Sequence, residues 1–315
     1  MGRVLRRRPH IILSADDFDL DDVIKIFDIT KDLKSRYYSG ERYVNILNKK
    51  IIGLIFQKPS TRTRVSFEVA IRQLGGESIY MSWNELQLGR GEPIKDTARV
   101  LERYLDGIIA RVYKHEDLVE FSRYISIPLI NGLSDREHPV QALSDYYTIY
   151  ERFGRLKGLK IAFVGDGSDN VSNSLLILGA KLGVEYWIAT APGYEPPKDL
   201  LDLAFRYVEK TGAKIVVTHD VEKAVSEADV VYTDVWVSMG QELEREKKLK
   251  DLADYQVNTK IMSLAKKNAV FMHCLPAKRG EEVTDEVIEG EHSIVWDQAE
   301  NRLHVQKGLL AYLYR

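Results

Sequence analysis

Short apolar runs alternate with amphipathic segments along most of this chain. The first series of runs lies at residues 51–56, 79–81, 107–110 and 127–130. A second series follows a polar, glycine-containing break at 154–158 and lies at residues 160–164, 185–189, 214–217, 230–233, 270–273 and 294–296. Each run of the first series precedes residues with helical periodicity. Strands that alternate with helices predict parallel sheets covered by helices on both faces.

Two longer helical patterns divide the chain. One covers Pro139–Phe153, where the two series meet, and the other covers residues 298–314. We therefore predict an α/β fold of two doubly wound parallel-sheet domains joined by interdomain helices. The predicted domains are 1–150, completed by a C-terminal helix at 298–315, and 151–297. A length of 315 residues fits two domains of about 100–200 residues each.

Composition and charge exclude several classes of protein. Lysine and arginine number 45 against 47 acidic residues, whereas a protein that grips nucleic acid usually carries a basic domain. No apolar run approaches the roughly 20 residues of a membrane helix, and the arginine-rich residues 1–9 lack the features of a signal peptide. A single cysteine forms no internal disulfide. We expect no nucleic-acid or membrane partner and a cytoplasmic protein.

A candidate anion site follows the first strand. After Phe56, the sequence Ser60-Thr61-Arg62-Thr63 opens a helix whose first N–H groups and dipole favour a bound anion. The hydroxyl groups add donors, and Arg62 adds a planar guanidinium. The pattern predicts a phosphate or carboxylate site, although a capped helix with surface arginines gives the same sequence.

Two further strand ends carry groups that fit a small polar ligand. Arg111 follows the run at 107–110, and a cation there adds charge to the first site. His138 precedes Pro139 at the entrance of a helix, and Gln141 lies on the first turn. An imidazole and an amide together recognise a carbonyl and an amine. A surface arginine and a structural histidine are the alternative interpretations.

The second half opens with a glycine-containing turn at 165–173. Gly165 and Gly167 resemble half of a dinucleotide fingerprint, but Asn170 occupies the place of the third glycine and no acidic residue follows about 20 residues later. A nicotinamide site is therefore only weakly indicated. A polar helix start with Asn170 better fits the head group of an amino acid.

The last strand ends bring a carboxylate and the single cysteine. Asp234 follows a strand and fits an ammonium group. The charged residues 241–250 after it are predicted to form a loop, either a mobile one that closes over a site or a plain surface loop. Cys274 follows the run at 270–273, either as a partly ionised thiolate or as a buried structural residue. No spacing typical of metal ligands occurs, so we predict no metal.

Taken together, these segments closely resemble the aspartate/ornithine carbamoyltransferase family over nearly the full chain. The matching segments are 56–68 (FQKPSTRTRVSFE), 87–89 with 96–99, 138–145 (HPVQALSD), 234–240 (DVWVSMG), 273–282 (HCLPAKRGEE) and 300–302. The SMG and HCLP segments resemble the ornithine branch. The resemblance implies transfer of the carbamoyl group of carbamoyl phosphate to the δ-amine of L-ornithine, giving citrulline and phosphate. It also implies a homotrimer or a multiple of trimers, and no cofactor.

The resemblance assigns roles position by position. The residues implied to bind carbamoyl phosphate are Ser60, Thr61, Arg62, Thr63, Gln87, Arg111, His138, Gln141, Leu275 and Arg302, with Gln87 supplied by a neighbouring subunit. The residues implied to bind ornithine are Asn170, Asp234, Ser238, Met239 and Cys274. The residues implied to be catalytic are Arg62, Arg111, His138 and Cys274.

Three positions depart from the family pattern, and three other functions stay open. Asp169 stands where the family often has a second asparagine, Val140 where it often has cysteine or threonine, and Lys278 where many relatives have histidine. The alternatives are a carbamoyltransferase for another amine, a nicotinamide-dependent dehydrogenase and a non-catalytic homologue. An acceptor panel distinguishes the first, and stabilisation by cofactor the second.

Overall fold

Ten strands in two parallel sheets organise the part of the chain that the computed structural model describes, residues 11–238 and 242–314. The chain forms two compact units. The first ends at Ser134 and is completed from Leu303 onward, and the second is Asp135–Arg302. The predicted α/β class with two parallel sheets is confirmed.

The first unit contains a sheet of strand order β1-β5-β4-β2-β3. Its strands are β1 (Ile11–Ile12), β2 (Ile51–Phe56), β3 (Glu77–Ser82), β4 (Gly107–Arg111) and β5 (Leu129–Leu133). Its helices are α1 (Leu20–Tyr38), α2 (Thr61–Gln73), α3 (Ile94–Leu101) and α4 (His115–Ser122). The central strand β4 is buried along its whole length, as its apolar sequence predicts.

The second unit contains a sheet of strand order β10-β9-β6-β7-β8. Its strands are β6 (Lys160–Val164), β7 (Glu185–Ala189), β8 (Lys214–Thr218), β9 (Val230–Tyr232) and β10 (Val270–Met272). Its helices are α5 (Pro139–Phe153), α6 (Asn170–Leu182), α7 (Lys198–Thr211), α8 (Val221–Val225), α9 (Arg245–Asp251), α10 (Thr259–Met262) and α11 (Asp285–Ile288). Helix α12 (Val295–Tyr314) begins in the second unit and ends in the first.

Helix α6 shows how the sequence specifies position in the second unit. Every one of its residues is buried, because it packs against α5 on one side and α7 on the other. Its polar residues are buried with the apolar ones and therefore need hydrogen-bond partners inside the protein. Its entrance, and the polar groups there, are consequently held in a fixed position at the end of β6.

Each sheet has one point where the strand order reverses. In the first unit the chain proceeds from β2 outward to β3 and then returns to β4 on the other side of β2. In the second unit it proceeds from β6 through β7 to β8 and returns to β9. Loops at the carboxyl ends of strands diverge at such a point and leave a crevice, where ligands bind in open α/β sheets.

Two predicted elements are wrong. Residues 294–296 were predicted as a strand, but only Ile294 donates to the sheet, through Phe271 O at 3.0 Å, before Gln298 N bonds Ile294 O and α12 begins. Residues 245–251 form helix α9 instead of a loop. The sequence there is rich in helix-forming lysine, glutamate and leucine, and Lys248 is buried.

No described helix has both the length and the apolar character needed to cross a membrane.

The buried Lys307 yields a prediction about stability. Lys307 lies in α12, its Nζ donates to Gln73 Oε1 at 3.1 Å, and burial lowers its pKa to about 8. An unfolded lysine has a pKa of about 10.4, so the unfolded chain binds more protons between about pH 8 and pH 10.4. This group therefore makes the protein more stable as pH rises through that window. In Lys307→Met we expect a flatter dependence of the melting temperature on pH from 8 to 10.

Lys31→Met is the matched control, because Lys31 is exposed on α1. Circular dichroism melts of the three proteins at pH 7, 8, 9 and 10 make the comparison. Parallel pH dependences in the wild type and Lys307→Met would contradict the assigned cause.

Candidate active site

The sequence predicts an anion site at the turn after β2. Ser60 is the N-cap of α2, with extended backbone angles of −157° and 116°, and its Oγ accepts a hydrogen bond from Thr63 N at 3.3 Å. Thr63 is buried, Arg62 is half-buried and Thr61 is exposed. The first turn of α2 thus presents N–H groups and hydroxyls beyond the end of β2, where an anion is favoured.

Arg111 ends the neighbouring strand. Its Cα lies opposite Phe56 in the β2–β4 register, and Gln57 N donates to Arg111 O at 2.8 Å. The two cationic strand ends that the sequence predicts separately therefore lie side by side at the reversal point of the first sheet. Arg111 is 9 % exposed, which argues against the alternative of a surface arginine.

Other polar groups of the first unit differ in their surroundings. Arg64 is exposed, its Nε lies 3.0 Å from Glu68 Oε1, and its guanidinium lies 3.6 Å from the centre of the Tyr80 ring. Gln87 is exposed at the start of a 3₁₀ turn, Gln87–Arg90. The sequence places Arg62 and Arg64 in one motif, but the Arg64 guanidinium contacts Glu68 of α2 and Tyr80 of β3.

His138 begins α5 in the second unit. It is the N-cap residue before Pro139, it is buried, and its backbone N donates to Ser174 Oγ at 2.9 Å. The proline has no N–H to lose at the first helical position and fixes the helix start. The imidazole is thereby held at one end of a buried helix.

Gln141 is fixed by a buried network that the sequence only partly reveals. Its Nε2 donates to Asp145 Oδ1 at 2.8 Å, and Arg302 donates to its Oε1. Gln298 Nε2 and Tyr232 Oη also donate to Asp145, at 2.8 and 2.9 Å. Burial raises the pKa of Asp145 to about 6, and these hydrogen bonds oppose the rise. The i, i+4 spacings of 141 with 145 and 298 with 302 are the signals in the sequence.

Asp234 and Cys274 lie together at the ends of β9 and β10. Asp234 Oδ1 accepts from Val235 N at 2.8 Å, and the Cys274 thiol hydrogen-bonds the carboxylate. Burial raises the pKa of Asp234, and burial together with that carboxylate raises the pKa of the thiol. The raised pKa of the thiol argues against the alternative of a partly ionised thiolate.

The Leu275 carbonyl is presented by a strained turn. Leu275 has a φ of +59°, and its N–H donates to His273 Nδ1 at 2.9 Å. His273 Nε2 in turn donates to Glu282 Oε1 at 3.1 Å, and Lys278 N donates to the same oxygen at 2.6 Å. A positive φ in a leucine costs about 1–3 kcal/mol and requires such support. The roles of His273 and Glu282 in this support were not predicted from the sequence.

Asn170 is the first residue of α6, and Asp169 is its N-cap. Asp169 Oδ2 accepts from Val171 N at 2.8 Å, and Ser238 Oγ donates to Asp169 Oδ1 at 3.0 Å. Burial and the nearby Asp166 raise the pKa of Asp169 to about 6. Met239 lies outside the described residues. Asp169, which departs from the family pattern, thus joins the predicted Asn170 and Ser238.

Asp234, His273 and Cys274 each offer one atom within 4.8 Å of the others, a spacing compatible with a metal ion. Their hydrogen bonds account for the arrangement without one. His273 Nδ1 accepts from Leu275 N, and the thiol bonds Asp234. The absence of a metal stays a prediction.

Comparison with known proteins also divides the chain in two, but between residues 151 and 157, whereas the compact units divide it after Ser134 and after Arg302. The family domain described as "Aspartate/ornithine carbamoyltransferase, carbamoyl-P binding domain" matches residues 10–151. The domain described as "Aspartate/ornithine carbamoyltransferase, Asp/Orn binding domain" matches residues 157–313. The chain belongs to the aspartate/ornithine carbamoyltransferase family. It is a carbamoyltransferase, as its motifs predict, and a nicotinamide-dependent dehydrogenase does not fit.

Similar proteins lie in the ornithine branch. "Ornithine carbamoyltransferase" of Hyperthermus butylicus is 56% identical over 302 residues, 96% of each chain. The solved structure of ornithine carbamoyltransferase from Pyrococcus furiosus superposes with a TM-score of 0.92 at 50% identity and covers 96% of each chain. That from Gloeobacter violaceus gives 0.86 at 43% identity, over 98% of this chain and 100% of its own. The predicted branch of the family is confirmed.

A substitution at Ser60 separates the anion site from an ordinary helix cap. Aspartate caps helices as well as serine does, so Ser60→Asp should melt near the wild-type temperature. Its negative charge repels a bound phosphate, so its dissociation constant for carbamoyl phosphate should rise at least about tenfold. Titration calorimetry with freshly prepared carbamoyl phosphate measures this change.

Ser60→Ala is the companion variant. It removes the cap and should lower the free energy of unfolding by about 1 kcal/mol. Normal carbamoyl phosphate affinity in Ser60→Asp would show that this turn is only a cap.

Proposed function

We propose that this chain transfers the carbamoyl group of carbamoyl phosphate to the δ-amine of L-ornithine, giving L-citrulline and phosphate. The observation that carries the proposal is the near-full-length match to relatives named ornithine carbamoyltransferase at 50–56% identity. The geometry adds support, because cationic groups gather at the reversal point of the first sheet and acidic groups at that of the second.

The first unit supplies the phosphate contacts in this proposal. Ser60, Thr61, Arg62 and Thr63 hold the phosphate at the start of α2, where N–H groups and the helix dipole stabilise its charge. Arg111 stabilises the carbamoyl oxygen together with Thr63. These donors are fixed before the reaction begins, so they stabilise developing charge at little reorganisation cost.

The second unit supplies groups for the carbamoyl amide. His138 donates to the carbamoyl oxygen, and the amine of the same group is oriented by Gln141, the Leu275 carbonyl and Arg302. The amide of Gln141 is held by Asp145 on one side and Arg302 on the other. Such restraint supports a role in orientation, since misplacement by about 1 Å can cost roughly 100-fold in rate.

Ornithine is assigned to the acidic end of the second sheet. Asn170, Asp234, Ser238 and Met239 bind its amino-acid head group, and Cys274 lies beside its δ-amine. Asp234 is nearly buried, so pairing with an ammonium group compensates its desolvated charge. A neutral thiol at Cys274 adds no charge beside the attacking δ-amine.

In the proposed reaction the neutral δ-amine attacks the carbonyl carbon of carbamoyl phosphate. A tetrahedral intermediate forms, its C–O bond to phosphate breaks, and the nitrogen loses its extra proton. No covalent bond to the enzyme is needed, and catalysis consists of positioning and charge stabilisation. Because the amine attacks in its neutral form, the rate should rise with pH as bound ornithine loses its proton.

Assembly and location are part of the same proposal. The chain forms a homotrimer or a multiple of trimers, in which Gln87 contacts the carbamoyl phosphate of a neighbouring subunit. The exposure of Gln87, of Val65 beside the anion site and of Ile79 on the edge strand β3 supports such an interface. We also propose a cytoplasmic location, which the single cysteine fits.

A panel of acceptors tests the function. We expect carbamoyl phosphate with L-ornithine to yield citrulline, and lysine, putrescine, acetylornithine and aspartate to yield little product. The relative from Pyrococcus furiosus at 50% identity is named "Ornithine carbamoyltransferase, anabolic", which supports citrulline formation as the working direction. Turnover with another amine would keep the phosphate contacts and overturn the ornithine assignment, and turnover with none would overturn the proposal.

Substitution of the arginines tests the phosphate and oxyanion contacts. Arg62→Ala and Arg111→Ala should each lower kcat/KM by about 10²–10³ or more while the melting curve stays near that of the wild type. Arg72→Ala is the control, because Arg72 is an exposed arginine in the last turn of the same helix, α2. Near-normal turnover in either of the first two variants would remove that arginine from the mechanism.

A further inference from the structure

A buried ion pair lies next to the amino-acid end of the second unit. Lys248 Nζ of α9 is 2.6 Å from Asp166 Oδ2, and the two side chains are 3 % and 4 % exposed. Removing both charges from water costs free energy that cancels much of their mutual attraction, so the ion pair adds little to stability by itself. Its place in the structure therefore calls for another explanation.

The Asp166 carboxylate organises the turn between β6 and α6. Its second oxygen, Oδ1, accepts from Ser168 N at 3.0 Å and from Ser168 Oγ at 2.6 Å. The Asp166 carbonyl accepts from Asp169 N at 3.2 Å. One residue thus fixes the turn that presents Asp169 and Asn170, and Lys248 holds that residue from the opposite side.

Ser238, ten residues before Lys248, makes a second contact with the turn between β6 and α6. Ser238 Oγ donates to Asp169 Oδ1 at 3.0 Å. Ser238 and Lys248 are therefore bonded to neighbouring carboxylates of one turn, Asp169 and Asp166. The position of Ser238 and the position of Asn170 are coupled through these two contacts.

Charge gives Lys248 a second effect. Asp166 raises the pKa of Asp169, Asp169 raises the pKa of Asp234, and the Lys248 ammonium lowers the pKa of Asp169. Ser238 and the backbone N of Val171 also stabilise the ionised Asp169. The Lys248 ammonium thus balances the charge of Asp166, its ion-pair partner in the turn before α6.

We propose that Lys248 is a positioning residue for the amino-acid substrate. Through Asp166 it fixes the turn that carries Asp169 and Asn170. Because Ser238 donates to Asp169, the same turn also fixes the position of Ser238. The proposal rests on the proposed function, in which Asn170 and Ser238 bind the acceptor.

Lys248→Met tests the proposal against Lys247→Met, which removes an exposed lysine from the same helix. Both are measured with whichever amino-acid acceptor the wild type uses best. For Lys248→Met we expect the KM of the acceptor to rise about 10–100-fold. The KM of carbamoyl phosphate and kcat should stay within about threefold, and Lys248→Arg should restore most of the affinity.

A double variant distinguishes a positioning role of Lys248 from a simple loss of stability. Lys248→Met with Asp166→Asn removes the uncompensated buried carboxylate, so its melting temperature should recover relative to Lys248→Met. Its acceptor KM should remain high, because the neutral pair no longer fixes the turn. Recovery of both quantities together would overturn a positioning role and leave a purely structural one.

Hydrogen exchange supplies a readout that does not depend on turnover. Peptides covering residues 165–171 and 245–251 should exchange faster in Lys248→Met than in Lys247→Met. Equal exchange and equal acceptor KM in the two variants would overturn the proposal. A wild type that prefers an acceptor other than ornithine contradicts the proposed function alone, since the comparison of variants still holds for that acceptor.

Discussion

The direction of the strands is the constraint on which the rest of this structure depends. In a parallel sheet all carboxyl ends lie along one edge, and the reversal of strand order opens a crevice there. The first sheet reverses between β2 and β4, which places Arg111 beside Phe56, the end of the strand that leads to Ser60. The second reverses between β6 and β9, so Asn170 and Asp234 follow adjacent strands. Chemistry scattered over the sequence is thus collected by topology.

The two edges differ in electrostatic character. The first combines arginines with the start of a helix and favours an anion, whereas the second collects carboxylates and a protonated thiol and favours a cation. Carbamoyl phosphate and ornithine differ in the same way. A reaction between them needs no group from the protein that forms a bond to substrate, so the site consists of donors and acceptors held in place.

Holding such groups in place requires buried polar networks. Asp145, Glu282 and Asp166 each lose their hydration, and each carboxylate has at least two donors that replace part of it. These networks restrain Gln141, the Leu275 carbonyl and the turn before α6. The proposed substrate contacts and the residues that support them therefore depend on each other energetically, because a polar group left unpaired in the interior is costly.

The sequence by itself determined the alternation of strands and helices, helix α5, the helix start at Ser60–Thr63 and the family. These are local signals of periodicity, capping and motif. The strand predicted at 294–296 failed, because an apolar run alone does not distinguish a strand from the buried start of a helix. Only the tertiary structure decided that Arg111 adjoins the Ser60 turn, that Cys274 is a protonated thiol, and that Lys248 reaches Asp166. Each depends on contacts between residues far apart in the chain, and on the burial that those contacts produce.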